Sequence, residues 1–344
     1  MTMLINKRGK LILFLEQASI LLSAGITADK TFRTIGRDLS IGYCSHVAQR
    51  MAAQLEEGQP LPLIMEDEKT LFDKFDTTVI QSCWETGDLS EGFRQLHNYH
   101  KRRADLANQL RTALTYPAIL SISAIIAVIL LLVIVVPKFQ TMVMGQTAEV
   151  SSTSELVFFL SRVVMEYGIF IALFIVGLVG ISLTKAGKNW LQNFFIATPW
   201  LGDLIRIIEV EKWARGLALL LQRGVHIQTA LVIGANLHSL NQMRQGGRAI
   251  AQQIRQGRNL TVLMAESGQF PDAAIQLLRT GEETGQLGIM LEKVADFLAL
   301  ESRAKLNLFT TIIEPLTILL LGGLVALIVL SLISITMSVN TIFL

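Results

Sequence analysis

The sequence contains one domain pattern twice, and this internal repeat limits what the chain can fold into. Four landmarks recur in order: a glycine after a Leu-Leu pair, a second glycine, the glycine of a Glu-Thr-Gly-x-Leu motif, and a proline before a long apolar run. The second copy follows the first by 199 residues at the first two landmarks and by 198 at the others. The paired landmarks are Gly25 and Gly224, Gly58 and Gly257, Gly87 and Gly285, and Pro117 and Pro315.

Composition shows what kind of chain carries the repeat. Its 344 residues are enough for about two domains of ordinary size. Hydrophobic residues make up 51% of the chain, and they are concentrated in discrete runs, which indicates an integral membrane protein. The net charge of +2 gives no overall basic field for nucleic acid. Cys44 and Cys83 have no metal-binding neighbours, and we expect reduced core thiols.

Between the apolar runs the pattern predicts α-helices. Residues 1–113 have helical apolar spacing and balanced charge, as expected of a helical bundle in water. The basic start followed by Leu11–Leu15 resembles a signal peptide, but the apolar run is too short and no cleavage site follows. The landmark glycines fit the position just after a helix, where the backbone turns left-handed. We expect N-caps at Thr27 and Ser90 and a capping pair of Thr70 and Asp73.

Three apolar runs predict three membrane-spanning helices, and with them an all-α polytopic protein with two homologous helical domains. The first span is 117–137, with Pro117 at the first helical position and Pro137 ending the helix. The other segments are an external loop at 138–155, a second span at 156–184, the second domain at 185–311, a third span at 315–339 and an external tail at 340–344.

Basic residues set the expected orientation of these spans. They flank the first span on its N-terminal side, the second span on its C-terminal side and the third span on its N-terminal side. The loop after the first span and the C-terminal tail are poor in basic residues. The prediction is an inner-membrane protein with the N-terminus and both repeats in the cytoplasm and the C-terminus outside.

Catalytic and metal-binding motifs are missing from the sequence. It has no P-loop, HExxH, GxSxG, kinase or cysteine-rich metal motif, so we expect no enzyme activity, cofactor or metal. His97 and His100 have the i,i+3 spacing of a metal-ligand pair, but a solvated helix face is the favoured interpretation. A transporter would need polar residues inside the spans, and a membrane-anchored signalling protein would need a catalytic or ligand-binding domain. Arg162, Glu166 and Glu314 lie at membrane edges and not at the midplane, and neither repeat contains such a domain.

The repeated acidic turn is the most specific local signal. One interpretation is structural: Gly87 and Gly285 end a helix, threonine or glutamate caps it, and Leu89 or Leu287 re-enters the core. The other is that the turn docks a cytoplasmic partner. Both interpretations stay open, and the candidate docking residues are Glu85, Thr86, Glu282, Glu283 and Thr284.

Taken together, the repeated motifs resemble the inner-membrane platform proteins of type IV pilus and type II secretion machines, the GspF/PilC family. The resemblance covers the chain from about Phe14 to the last span. Tyr116-Pro117 and Pro137 stand where the family has its Tyr-Pro and the proline after the first span. Glu314 replaces the tyrosine in the second copy. The short N-terminal segment is similar to that of members from type IVb pilus systems.

The resemblance implies a scaffold without catalysis of its own. Each cytoplasmic domain would be a six-helix bundle, and the platform would lie between a hexameric cytoplasmic ATPase and the pilins or pseudopilins, with other assembly proteins of the inner membrane as neighbours. Self-association into a dimer or larger oligomer is expected from the same resemblance. Pilus assembly is the preferred function, and the equivalent platform of a type II secretion system is the alternative.

Overall fold

The computed structural model describes residues 2–138, 152–182, 198–268 and 270–340. Within these ranges the regular structure is entirely helical, with no β-strand, as the apolar spacing predicts. Most of the predicted external loop at 138–155, the start of the second domain at 185–197 and the tail residues 341–344 lie outside the described residues. Cys44 and Cys83 are buried and unbridged, which confirms them as core residues.

The first repeat contributes the helices α1 to α6. A short 3-10 turn at Leu39–Ile41 separates α2 from α3. The helices are α1 Thr2–Ser23, α2 Ala28–Ile35, α3 Tyr43–Glu56, α4 Leu61–Asp67, α5 Lys74–Thr86 and α6 Leu89–Leu130.

A long helix, α7 at Ser152–Ser182, precedes the second repeat, which follows the same order as the first. Each helix of repeat 2 corresponds to the helix seven places earlier. These helices are α8 Pro199–Gln222, α9 Ile227–Ala235, α10 Asn241–Arg255, α11 Leu260–Ser267, α12 Asp272–Glu283 and α13 Leu287–Asn340.

The chain divides into two compact units that differ from the predicted domains. The repeat unit combines Met1–Gln109 with Pro199–Arg303, and the apolar unit combines Leu110–Thr198 with Ala304–Leu344. Both repeats therefore belong to one unit, whereas the sequence pattern treats them as separate domains. The reason is contact between the repeats: α5 packs against α8 and α9.

Aromatic side chains form the centre of repeat 1. Phe14 and Phe32 are fully buried and stack with ring centroids 5.8 Å apart. Phe72 lies 5.8 Å from Phe14, and Phe93 lies 5.7 Å from Phe32 in an edge contact. Such pairs add stability beyond the area they bury. Repeat 2 keeps the equivalent of only one of these pairs, Trp213 with Phe270 at 5.7 Å.

Caps at two helix starts differ from the prediction. Asp73 caps α5, and it forms a reciprocal capping box with Asp76, not a pair with Thr70. At α6 the carboxylate of Asp88, not Ser90, accepts from the backbone N–H of Glu91 at 3.3 Å. In both cases an aspartate was the better acceptor for free N–H groups at the helix start. Thr27 does occupy the N-cap position of α2, but its side chain makes no capping bond.

Prolines of the apolar segments lie inside helices, which corrects two predictions. Pro117 is in the interior of α6, not at a first helical position, and Pro315 is in the interior of α13. Pro137 does not end its helix, because the helix continues to Lys138. The five residues Leu131–Val135 adopt π-helical geometry just before it. This wider turn accommodates a proline that has no N–H to donate and whose ring crowds the preceding carbonyls.

The apolar unit has its own small core. Leu132 and Val136 of the first apolar segment pack with Val157 of α7 and with Ile328 of α13. Buried Ser161 donates its hydroxyl to the Leu132 carbonyl at 2.6 Å, inside the π-helical stretch. Two helices, Leu89–Lys138 and Leu287–Ser331, are long and apolar enough to cross a membrane. Their apolar faces are largely exposed, as expected of helices that contact lipid.

Candidate functional site

The two acidic turns of the repeats have the same backbone geometry. Gly87 follows α5 with φ +77°, and Gly285 follows α12 with φ +68°. The N–H of Asp88 donates to the Cys83 carbonyl at 2.9 Å, and the N–H of Gln286 donates to the Gly281 carbonyl at 2.8 Å. This six-to-one bond is the Schellman pattern that ends helices at a left-handed residue. Left-handed backbone also occurs at the other landmark glycines, Gly25, Gly58, Gly224 and Gly257.

Some side chains of the two turns form hydrogen bonds with other parts of the protein. Thr86 and Thr284 donate their hydroxyls to carbonyls of their own helices, so they close the helix end. The Glu282 carboxylate accepts from the N–H groups of Leu260 and Thr261 at the start of α11. Glu282 is thus a capping residue between two helices, which removes it from the candidate docking set.

Glu85 and Glu283 are the exposed glutamates of the turns. Glu85 accepts one long bond of 3.4 Å from Gln81, and otherwise the two carboxylates point to the protein surface. Leu89 and Leu287 are half-buried, so each turn leads back toward its domain. The geometry therefore presents one exposed glutamate at the same place in each repeat.

Replacing Gly87 with valine should destabilise the protein by about 2–3 kcal/mol, because a β-branched residue is strained at positive φ. A Cβ atom at this position meets nothing within 4 Å, so the loss would come from the backbone and not from a clash. Thermal unfolding in detergent measures it. Gly87→Asn is the control and should lose less, because asparagine tolerates this conformation. Equal losses for both variants would contradict the explanation.

Polar contacts join the two repeats. The Arg223 guanidinium, just after α8, donates to Gln95 at 2.7 Å and to Glu91 at 2.9 Å, and both acceptors lie on α6. Asp296 of α13 accepts from Arg102 of α6 at 3.3 Å and from Arg215 of α8 at 3.0 Å. Arg215 and Arg223 are largely buried, and the planar guanidinium group is suited to such paired contacts. The first helix of repeat 2 therefore lies against the last helix of repeat 1.

Gly216 permits the close packing of α8 in this region. A Cβ on Gly216 would lie 3.4 Å from the Phe75 ring of repeat 1 and would overlap the Leu237 side chain. Gly216 is outside the repeat landmarks, and sequence reasoning missed it. A glycine inside a helix costs stability, so its presence at a packed position was the available signal.

Two residues at equivalent positions of the repeats meet in the apolar unit. The Tyr116 hydroxyl donates to the Glu314 carboxylate at 3.1 Å, and the two residues are 198 apart in sequence. Each directly precedes the proline of its apolar segment, Pro117 or Pro315. The substitution of glutamate for tyrosine in the second copy therefore supplies a hydrogen-bond acceptor for the tyrosine of the first copy.

Comparison with known proteins now places the chain. The family described as "Type II secretion system (T2SS), protein F" matches residues 14–137 and again residues 213–335. The two matches begin 199 residues apart and end 198 apart, as the landmark glycines and prolines do. The chain belongs to this family. The GspF/PilC resemblance is thereby confirmed, while the type IVb subtype stays a prediction.

Relatives of this GspF/PilC protein are named for two machines. It is 25% identical to the type IV pilus assembly protein PilC of Myxococcus xanthus over 92% of this chain and 76% of the relative. PilC of Pseudomonas aeruginosa is 27% identical, with 91% and 85% covered. The type II secretion system protein F of Aeromonas hydrophila is 23% identical, with 96% and 87% covered.

In this GspF/PilC protein the histidine pair is not on a solvated face, which corrects the prediction. His97 is buried, and its Nδ1 lies 3.1 Å from the Ile12 carbonyl of α1. Nε2 of His100 lies 2.8 Å from the buried carboxylate of Asp76. The two rings therefore tie α6 to α1 and to α5. Among the described residues, no group of three or more acidic, histidine or cysteine side chains could hold a metal ion.

The sequence analysis also did not predict a buried carboxylate in repeat 2. Glu209 of α8 is almost fully buried, and it accepts from the backbone N–H of Ser239 at 2.7 Å and from Lys212. Burial alone would raise its pKa, but the bonds from Lys212 and Ser239, with the His238 ring 3.8 Å away, outweigh burial and lower the pKa to about 2. Repeat 1 has Lys10 at this position, so the repeat pattern gave no signal for it.

The lowered pKa of Glu209 predicts an acid-sensitive repeat 2. The ionised carboxylate contributes stability above its ordinary pKa of 4.5, and that contribution is lost as the pH falls from about 4.5 to about 2. We expect a loss on the order of 2–3 kcal/mol, measured by denaturation in detergent at stepped pH. Glu209→Gln should be less stable at neutral pH and less pH-dependent. A variant with the wild-type pH slope would contradict the prediction.

Proposed function

We propose that this protein is the inner-membrane platform of a type IV pilus assembly machine. In this role it connects a hexameric cytoplasmic ATPase to pilins that are extracted from the membrane and polymerised. It acts as a scaffold without catalysis, together with other inner-membrane assembly proteins and with further copies of itself. The platform of a type II secretion system is the second candidate, since a relative with that name matches 96% of the chain.

One structural observation carries the proposal. The last helix of each repeat continues without interruption into an apolar segment: Leu89–Lys138 after the helices of repeat 1, and Leu287–Ser331 after those of repeat 2. A continuous helix transmits displacement because its backbone hydrogen bonds resist bending. A motor that moves the repeat unit would therefore move the apolar helices beside a pilin.

The proposed topology follows from the basic residues and the helices. We propose six-helix repeats on the cytoplasmic side, with the first turns of α6 and α13 as the sixth helix in each. The spans would be 117–137, 156–184 and 315–339, with the C-terminus outside. The helix Ser152–Ser182 supports the second span, because it is continuous over a length that can cross a bilayer.

Electron microscopy of surface filaments in a deletion strain tests the proposal. Loss of filaments, with processed pilin still present in the inner membrane, is the expected result. Pilin that disappears along with the filaments would point to an earlier step than assembly. Normal filaments together with a loss of protein secretion would favour the type II secretion platform. Normal filaments and normal secretion would overturn the proposal.

Charge reversal at the two acidic turns tests partner docking. Glu85→Lys together with Glu283→Lys should weaken binding of the assembly ATPase at least tenfold, because the two introduced lysines would repel the basic partner surface that the exposed carboxylates attract. Binding can be measured by pull-down of the purified ATPase on membranes that contain each variant. Glu282→Gln is the matched control: it should lower thermal stability through the lost α11 cap and leave ATPase binding unchanged. Normal binding by the double reversal would leave these turns a structural role only.

A further inference from the structure

An exposed apolar stripe runs along the first turns of α13, within the repeat unit. Ile289 is 47% exposed, Phe297 37% and Leu300 66%, and Lys293 lies between them. Their spacing of four, eight and eleven residues places all of them on one face of the helix. Three exposed apolar side chains on one helix face, outside the apolar segments, form a candidate interaction surface.

The equivalent stripe of repeat 1 is covered. The corresponding residues of α6 are 198 positions earlier, and they are Glu91, Gln95, Tyr99 and Arg102. Arg223, at the end of α8, binds Glu91 and Gln95, and Tyr99 is only 6% exposed. Over Glu91, Gln95 and Tyr99 the stripe on the last helix of repeat 1 is thus occupied by the first helix of repeat 2, whereas Arg102 stays exposed.

The repeat pattern indicates which helix fits the stripe on α13. The stripe on α6 is covered by α8, which is the first helix of repeat 2. The first helix of repeat 1 is α1, so α1 is the equivalent candidate for the stripe on α13. Leu219 of α8 and Arg223 just after it lie beside α6, and the equivalent positions of repeat 1 are Ile20 in α1 and Ala24 just after it.

Both positions are exposed, with Ile20 at 59%, and Leu13, two turns earlier on the same face of α1, is 46% exposed. The helix contact that is ionic within one chain would therefore be apolar when it forms between two chains. Glu16 lies on the same side of α1, and its charge is opposite to that of Lys293 on the α13 stripe. Both surfaces are exposed in the single chain, so they remain available to each other in two copies.

We propose that α1 of one copy packs on the α13 stripe of a second copy, repeating between chains the contact that α8 makes with α6 within the chain. The contact is head-to-tail, since it joins two different surfaces, and it can extend to a ring or an open array. The inference rests on the self-association contained in the proposed function and adds the surfaces that produce it.

Single charged substitutions on the two surfaces test the contact. In the full-length protein in detergent, Ile20→Asp on α1 and Leu300→Asp on α13 should each raise the dissociation constant at least tenfold in sedimentation equilibrium. Leu63→Asp and Val262→Asp are matched controls, since both residues are exposed, apolar and at equivalent positions of the two repeats. The controls should leave the dissociation constant unchanged, and all four variants should keep the wild-type helix content and melting temperature.

A mixture of the two variants separates a head-to-tail contact from a symmetric one. Each variant retains one intact surface, so an equimolar mixture of Ile20→Asp and Leu300→Asp should form a dimer that cannot grow further. A wild-type mass for either variant alone, a mixture that stays monomeric, or a monomeric wild-type protein would each overturn the proposal. Filament assays in the deletion strain report on the platform role independently, so failure of this contact is distinguishable from failure of the proposed function.

Discussion

Replacing Ala107 with proline should abolish filament assembly while the protein remains in the membrane. Ala107 is an exposed residue of α6, two residues before the repeat unit ends at Gln109. Proline removes a backbone hydrogen bond and clashes with the preceding turn, which costs about 3 kcal/mol or more in a helix interior. Pro117 already lies in the interior of this helix, so the expected loss comes from a second kink, placed between the repeat unit and Pro117, where the proposed mechanism requires a continuous helix.

Two controls make the Ala107 result specific. Ala107→Ser keeps the backbone N–H and should support normal filaments, as counted by electron microscopy in a complemented deletion strain. Immunoblots of membrane fractions should show equal amounts of both variants. Normal filament numbers with Ala107→Pro would show that the continuous α6 helix is not needed for assembly, and the proposed coupling would then be abandoned.

Replacing Phe32 with alanine should lower the free energy of unfolding by about 3–5 kcal/mol, the range for a buried phenylalanine. Phe32 is fully buried, and its ring contacts both Phe14 and Phe93. Truncation would remove both aromatic contacts and leave a cavity between α1, α2 and α6. Chemical denaturation of the protein in detergent, followed by circular dichroism, measures the loss.

The same experiment has a surface control in the same repeat. Leu39 is 79% exposed, so Leu39→Ala should change the unfolding free energy by less than about 0.5 kcal/mol. Because the repeats form one compact unit, loss of the Phe32 core should also reduce the stability of repeat 2. A variant in which repeat 2 keeps its wild-type denaturation midpoint would show that the two repeats unfold independently.

Local structure was predictable where a single residue type meets a strict backbone requirement. Gly87 and Gly285 follow helices at left-handed positions, where other residues are strained, so their recurrence marked the helix ends of both repeats. Predictions of caps were weaker, because several polar residues near a helix start compete for the same N–H groups. Asp73 and Asp88 form the capping bonds, whereas the neighbouring threonine and serine do not. Sequence spacing alone does not predict which of these residues will cap the helix.

At the candidate site, too, the sequence alone did not separate residues that make different contacts. Glu282, Glu283 and Glu85 look alike in the sequence, but Glu282 is bonded to the start of α11 from twenty-two residues away. The prolines show it as well: a proline usually ends a helix, yet α6 continues past Pro117. These outcomes depend on what each side chain or carbonyl meets in space.

The sequence by itself determined the two repeats, the helical class, the positions of the landmark glycines and the family, because these follow from periodicity, hydropathy and residue-specific backbone preferences. Tertiary structure alone decided that the repeats form one unit, that Arg223 reaches Glu91, and that Tyr116 meets Glu314. Such contacts join residues more than a hundred positions apart, and their partners differ in type between the two copies. Side-chain pairing across that distance depends on how the helices pack, which no local pattern encodes.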